Sequence, residues 1–328
     1  MKLLSPAKVN LFLNVLSKRK DGYHNIETLF ERISLADRIT LLPAKSGIKI
    51  LTNSKAIPKG PKNLACRAAR LLKDEYQIKK GVVIKIQKRI PVAAGLGGGS
   101  SNAATVLIGL NGLWRLGLSK KKLGELAVKL GSDVPFFILD ARFALGRGRG
   151  EILKRINAFG TKIWHCLVKP NFGISTKKAY ENFDKSNLAP PPVFYDRGCD
   201  QSASRTKQVV GLTPAEVDVK MLLHSIQKGH SSALTKLLTN SLECTGHSTA
   251  PADVPRVRTR GLEVALNNRV TTILNIKKEL MRQGALGCLL SGSGPAVFGI
   301  YSSKSKASKA ARVLKKHRDW KVFVASTF

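Results

Sequence analysis

The stretch PVAAGLGGGSSNAATVLIGLNGLW, Pro91–Trp114, packs Gly95, Gly97, Gly98 and Gly99 ahead of two serines and an apolar-periodic run. Glycine has no Cβ and tolerates positive φ, so its backbone can approach the oxygens of a phosphate chain closely. Gly95 and Gly97–Gly99 could wrap such a chain, with Ser100 or Ser101 expected to cap a helix whose free amides point at it. No lysine follows in the Walker A arrangement, and a loop of this kind without a ligand is an equally simple turn. Asp133, in LGSDVPFFI, stands at a second helix start with Pro135 in the first turn. It is either a plain cap or a carboxylate that orients or deprotonates a substrate hydroxyl during phosphoryl transfer. Lys8 lies on the non-core face of a predicted strand. It is either solvated there or stands beside Asp133, keeping the carboxylate charged and neutralising a moving phosphoryl group. Tyr23 and His24 follow an Asp-Gly turn; they suit stacking on a base and reading its edge, or an ordinary hairpin surface. SGSGPAVF, Ser291–Phe298, is a second compact amide-rich loop, weak as an isolated pattern. His165, His224, His230, His247 and His317 form no metal-ligand spacing.

The elements that must position these residues are legible in outline. AKVNLFLNVL, residues 7–16, alternates as a strand, with Val9, Leu11, Leu13 and Val15 on one face and Lys8, Asn10, Phe12 and Asn14 on the other. The Asp-Gly turn leads into a second β-rich segment, and further strands are predicted near 38–42, 47–51 and 82–90. The spacing of Ala65, Ala68, Ala69 and Leu72 predicts a helix over 63–73 capped by Asn63. Another is predicted over 119–130 despite three lysines at its start, which oppose the dipole. Residues 141–151 return to a strand, and a second unit of strands and helices starts at Trp164, giving expected domains of 1–157 and 158–328. Within 185–260, APPP, GCDQSASRTK and CTGHSTAPADVP interrupt any period and read as loop-like insertions.

A chain of 328 residues with 43% apolar content can build two cores. Five widely spaced cysteines, Cys66, Cys166, Cys199, Cys244 and Cys288, argue against a disulfide framework or metal knuckle. The N-terminus enters a strand directly, without a signal-peptide core, so a cytoplasmic location is expected. No apolar run is long enough to cross a bilayer. The formal charge of +35 favours polyanions, yet lysine and arginine are spread over the whole chain. The Lys304–Arg318 run, with seven basic residues and no acid, reads as the solvated side of a terminal helix, so no obligate nucleic-acid partner is expected.

Together, SPAKVNLFLNV, DGYHNIETLF, PVAAGLGGGSSNAA, LGSDVPFFI, GRGEIL and LSGSGPAVFGIY resemble, in order, the 4-diphosphocytidyl-2-C-methyl-D-erythritol kinases, within the superfamily of galactokinase, homoserine kinase, mevalonate kinase and phosphomevalonate kinase. The resemblance runs through residues 4–157 and resumes in patches to 301. It implies an α+β protein of two domains. The N-terminal one would be like ribosomal protein S5 domain 2 and the C-terminal one a ferredoxin-like α/β sandwich, with the active site between them. It implies ATP and Mg²⁺, and a cytidine-diphosphate-linked alcohol as the acceptor whose 2-hydroxyl is phosphorylated, on the non-mevalonate route to isopentenyl diphosphate. By the same resemblance Lys8 and Asp133 are catalytic, and Asn10, Tyr23, His24 and Tyr180 hold the acceptor. Asn63 and Pro91 would flank the nucleotide, and Ala94, Gly95, Leu96, Gly97, Gly98, Gly99, Ser100 and Ser101 its triphosphate. A monomer or weak homodimer is expected. Whether Asp133 accepts the proton or only aligns the hydroxyl stays open, although a carboxylate of ordinary acidity is a weak base towards an alcohol. The chain departs from the family pattern at Ala93 and Ala94, where glycines are usual, and at Ser241, where NSLE replaces NDLE. It matches poorly over 190–212 and 244–272. The competing readings are a related kinase for a mevalonate-like or amino-alcohol substrate, and a basic RNA-binding protein.

Overall fold

Strand β1, Lys2–Lys18, and strand β2, His24–Ala44, form a long antiparallel hairpin around which the first sheet is built. The computed structural model describes residues 1–157, 162–185, 221–222, 224, 237–246 and 260–328. Cys199, His230, His247, the 190–212 stretch and residues 247–259 lie outside the described residues. The far half of β2 pairs with β4, Gly81–Gln87, which takes β3, Ile48–Thr52, in parallel. Its near half pairs with β5, Phe143–Arg147, and β5 with β6, Ile152–Ile156. Helices α1 (Leu64–Glu75), α2 (Gly98–Leu113), α3 (Lys120–Val128) and α4 (Val134–Leu139) contribute, with the sheet, a core that includes Ile39, Leu41, Leu72, Ile84, Leu107 and Phe136.

The second sheet has strand order β10-β7-β9-β8, all antiparallel, from β7 (Trp164–Pro170), β8 (Gly287–Leu290), β9 (Val297–Tyr301) and β10 (Trp320–Ser326). After β7 come α5 (Thr176–Lys185), a 3₁₀ turn at Ser241–Gly246 and α6 (Arg260–Arg282); α7 (Lys304–Leu314) joins β9 to β10. With α6 and α7 packed on it, this is the ferredoxin-like arrangement expected. The two sheets share a core: Val9, Leu11, Phe12 and Leu29 of the first cluster with Leu167, Phe298 and Ala325 of the second.

Two local expectations are corrected. The register of β1 shifts between Asn10 and Phe12, so Leu11 is an extra residue and strict alternation fails there. Val9, Leu11 and Phe12 all reach the shared core, while Leu13 and Val15 join Ile26 and Leu242 in another cluster. Lys8, on the face away from Val9, is buried rather than solvated, because the loops at Gly97 and Gly292 pack against it. The glycine-loop helix is not capped by Ser100 or Ser101: it starts at Gly98, behind a left-handed Gly97 (φ 65°) that makes no side-chain cap. The early start carries both serines into the helix, where the Ser101 hydroxyl shares a 2.8 Å bond with that of Ser5.

Candidate active site

A cleft of about 1070 Å³ is lined by both sheets' loops and by α5. Every residue given a catalytic or binding role from the sequence lines it except Ser101, which is fully buried behind the loop. Its centre is Lys8. The ammonium lies 3.6 Å from Asp133 Oδ2 and donates to Asn10 Oδ1 at 2.6 Å. Asn10 in turn donates through Nδ2 to Thr28 Oγ1 at 2.8 Å, and the Thr28 hydroxyl donates to the Phe12 carbonyl. That chain fixes the amide of Asn10 and, through it, the direction of the lysine. Asp133 occupies the N-cap position of α4 but makes no capping hydrogen bond, and its side chain is 35% exposed against 5% for Lys8. The helix takes no side-chain cap from it, and the carboxylate is left to face Lys8 in the cleft.

The phosphate-type loop closes directly on this pair. Lys8 N–H donates to the Leu96 carbonyl at 3.1 Å, and a Cβ on Gly97 would sit 3.0 Å from Lys8 Cγ and 3.1 Å from Phe137 Cζ. The first helical amide to bond back is that of Ser101, to the Gly97 carbonyl. The amides of Gly98, Gly99 and Ser100 open the helix towards the cleft, the standard anion-binding end of a helix. Asn63 lines the cleft, yet both ends of its amide are engaged: Oδ1 accepts from Ala65 N as the α1 cap, and Nδ2 donates to the Pro58 carbonyl.

At the other end of the cleft, the His24 ring stacks on Tyr180 with centroids 5.0 Å apart, and its Nε2 donates to the Asp184 carboxylate, Oδ1, at 2.7 Å. Burial, with the negative charge of Asp133 adding to it, pushes the Tyr180 hydroxyl well above its usual range. Tyr23 is 55% exposed, and the Arg149 guanidinium lies 5.0 Å over its ring. One aromatic face is therefore covered by a cation, and one imidazole face by a phenol.

Several lining residues escaped the sequence reading. Asp184 holds both His24 and Lys18. Lys88 is buried beside the loop and pairs at 2.5 Å with Asp37, a fully buried carboxylate that also accepts from Arg89 N, Ile90 N and Asn102 Nδ2. Burial pulls the Lys88 ammonium below the ordinary lysine range, with the attraction of Asp37 opposing it. The only sequence signal for Lys88 was its place three residues before Pro91; nothing marked Asp37 as its partner. The SGSG loop, noted as amide-rich, meets the glycine loop: Ser291 Oγ donates to the Gly95 carbonyl at 3.0 Å. Among the described residues no cluster of three or more His, Cys, Asp or Glu side chains could hold a metal ion, and no helix is long and apolar enough to cross a membrane.

Residues 63–141 match the family described as GHMP kinases N terminal domain, and residues 262–319 match GHMP kinases C terminal. The chain is 37% identical to 4-diphosphocytidyl-2-C-methyl-D-erythritol kinase of Geobacillus kaustophilus, covering 94% of this chain and 91% of that one. It is 37% identical to the protein of the same name from Pelotomaculum thermopropionicum, over 99% of this chain and 97% of that one. A crystal structure of 4-(cytidine 5'-diphospho)-2C-methyl-D-erythritol kinase superposes with a TM-score of 0.74 at 31% identity, covering 99% of this chain and 98% of that one. The L. major mevalonate kinase, at 17% identity and a TM-score of 0.65 over 100% of this chain and 95% of that one, shares the fold alone. The two-domain α+β architecture, the cleft and these matches agree, and the chain belongs to the 4-diphosphocytidyl-2-C-methyl-D-erythritol kinase family of GHMP kinases.

Proposed function

We propose that this kinase transfers the γ-phosphate of ATP to the 2-hydroxyl of 4-diphosphocytidyl-2-C-methyl-D-erythritol, giving the 2-phosphate used on the non-mevalonate route to isopentenyl diphosphate. The observation that carries the reading is the Lys8–Asp133 pair, 3.6 Å apart, with the Gly97 backbone packed against the same lysine. Phosphoryl transfer is chiefly a matter of positioning and charge stabilisation. In this reading the open amides of Gly98–Ser100 and the Lys8 ammonium receive the negative charge of the triphosphate and the group in transit. Asp133 receives or aligns the acceptor hydroxyl, and Asn10 holds it. Pro91, Ala94, Gly95 and Leu96 shape the nucleotide side, with Asn63 acting through the start of α1. Tyr23, His24 and Tyr180 form the base end, which a mevalonate-like or amino-alcohol acceptor would leave idle.

Mg²⁺ suits this donor set, because it takes one or two carboxylates together with substrate phosphates rather than an all-protein cage. Asp133 and Ser100 would hold it, and when bound it draws charge off the phosphate oxygens. In this reading residues 1–157 and 158–328 form the two domains, a division supported by the first sheet ending at Ile156 and the second starting at Trp164. A cytoplasmic location fits the unpaired thiols of Cys66, Cys166 and Cys288. A coupled ADP-release assay tests the function. Saturable turnover is expected with the cytidylylated alcohol and not with mevalonate, homoserine or RNA; equal turnover with mevalonate or homoserine would overturn the substrate assignment.

A further inference from the structure

The segment around Asn240 lies far in sequence from every residue so far given a role, yet it touches both halves of the catalytic centre. Asn240 is 4% exposed. Its Nδ2 donates to Leu290 O, the last carbonyl of β8, at 2.9 Å and to Gly292 O of the SGSG loop at 2.8 Å, and its Oδ1 accepts from Leu242 N at 3.0 Å. Both ends of its amide are thereby engaged. The same segment is clamped to β1, the strand that carries Lys8 and Asn10: Leu13 N donates to Thr239 O at 2.9 Å and Val15 N to Ser241 Oγ at 3.1 Å. Serine at 241 thus accepts the strand's amide without a carboxylate. Glu243 secures the loop from behind, accepting from Leu290 N through Oε1 and from Lys277 Nζ through Oε2.

The loop held in this way abuts the reacting groups. A Cβ on Gly292 (φ 56°) would stand 3.2 Å from Asn10 Oδ1 and 3.3 Å from Lys8 Nζ, so only a bare backbone fits there. A trans peptide is planar, with its C=O and N–H on opposite edges. Turning the Gly292 carbonyl onto Asn240 therefore turns the Ser293 N–H away from Asn240, and both Gly292 and Ser293 line the cleft. Among the described residues neither the Gly292 nor the Ser293 amide has a hydrogen-bond partner, whereas the neighbouring Ser291 and Gly294 amides bond within the loop.

We propose that Asn240 is a positioning residue for phosphoryl transfer: by fixing the Gly292–Ser293 peptide it presents the Ser293 N–H to the phosphoryl group as it passes Lys8. The proposal rests on the phosphotransferase reading of the cleft. The test is steady-state kinetics of Asn240→Asp, which keeps the shape and the Leu242 contact but replaces the two donor contacts with repulsion of both carbonyls. The kcat is expected to fall about 100-fold, the scale for losing one oxyanion donor, with KM for ATP within about threefold of wild type. Ser241→Ala is the companion, removing a bond of the same segment to β1 without touching the loop. It should lower the melting temperature while kcat stays within about twofold. Asn240→Ser, which brings no charge, serves if the aspartate variant does not fold, and its kcat should fall at least about tenfold. A kcat near wild type in a folded Asn240 variant, or an equal loss in Ser241→Ala, would overturn the proposal. Absence of wild-type turnover with the cytidylylated alcohol would count against the substrate assignment, and the Asn240 comparison would then be read with the alcohol the wild type does phosphorylate.

Discussion

Replacing Gly97 with alanine probes whether the loop backbone positions the lysine. Gly97 has φ 65°, and the Cβ of alanine would meet Lys8 Cγ at 3.0 Å, Lys8 Cε at 3.2 Å and Phe137 Cζ at 3.1 Å. Left-handed backbone costs a non-glycine residue about 1–2 kcal/mol. The contacts add a displacement of a few tenths of an ångström, and the lysine is one of the groups that must yield. Misplacing a catalytic group by about 1 Å costs on the order of 100-fold in rate, so a shift of this size should lower kcat about tenfold. Gly117 supplies the control, since its φ is 66° and a Cβ there would meet nothing within 4 Å. Both alanine variants should lose about 1–2 kcal/mol in urea unfolding, and only Gly97→Ala should lose turnover in the coupled ADP assay. If Gly97→Ala keeps wild-type kcat while losing the same stability as Gly117→Ala, the packing of Gly97 does not position Lys8.

The departure at Ala93 leaves a β-carbon at φ 52°, so Ala93→Gly should stabilise the protein by about 0.5 kcal/mol, strain relief exceeding the added chain entropy; a loss of stability would show the strain is absent. Lys88→Met removes the partner of the fully buried Asp37 and should cost roughly 3 kcal/mol in urea unfolding, whereas a loss below about 1 kcal/mol would mean that the backbone amides alone satisfy the carboxylate. The Lys18 hydrogen bond, and after it that of His24, hold the Asp184 carboxyl below the usual carboxylate range against the opposing effect of burial. A folded-state value below the unfolded one contributes stability above about pH 4 that is lost as pH falls through the folded value. The stability gap between wild type and Asp184→Asn should therefore close with acidification, and at pH 7 the variant should raise KM for the acceptor and not for ATP; a gap independent of pH, or a change in the ATP dependence alone, would contradict this.

The residue types of the site were readable from local sequence because each sits in a short motif with its own backbone logic. Glycine spacing marks the amide loop, a Pro two places on marks Asp133 as a helix start, and alternation marks the strand of Lys8. Environments were not readable in the same way. Lys8 is buried because the loops around Gly97 and Gly292 close over it, and neither is encoded near residue 8. The start of α2 was misplaced because left-handed glycines can open a helix as readily as a serine cap can. Asp37 with Lys88, Asp184 with His24, and Asn240 with Gly292 are tertiary pairs, each joining residues distant in the chain, and single-sequence periodicity carries no term for them. The basic run over 304–318 behaves as read: Lys304, Lys306, Lys309 and Arg312 are on the exposed side of α7, with Ala307, Ala310, Ala311 and Leu314 buried.

The pairing of Lys8 with Asp133 is tested most directly by a double-mutant cycle on single-turnover phosphoryl transfer, using Lys8→Ala, Asp133→Ala and the double variant, with ADP binding measured on each by calorimetry. Groups 3.6 Å apart that act on one reacting centre should be strongly non-additive. Each single variant is predicted to bind ADP within about threefold of wild type and to lose at least about 100-fold in transfer, with the double variant no worse than about threefold below the weaker single. Transfer rates that fall by the product of the two single effects, or near-wild-type transfer in Asp133→Ala, would contradict the account.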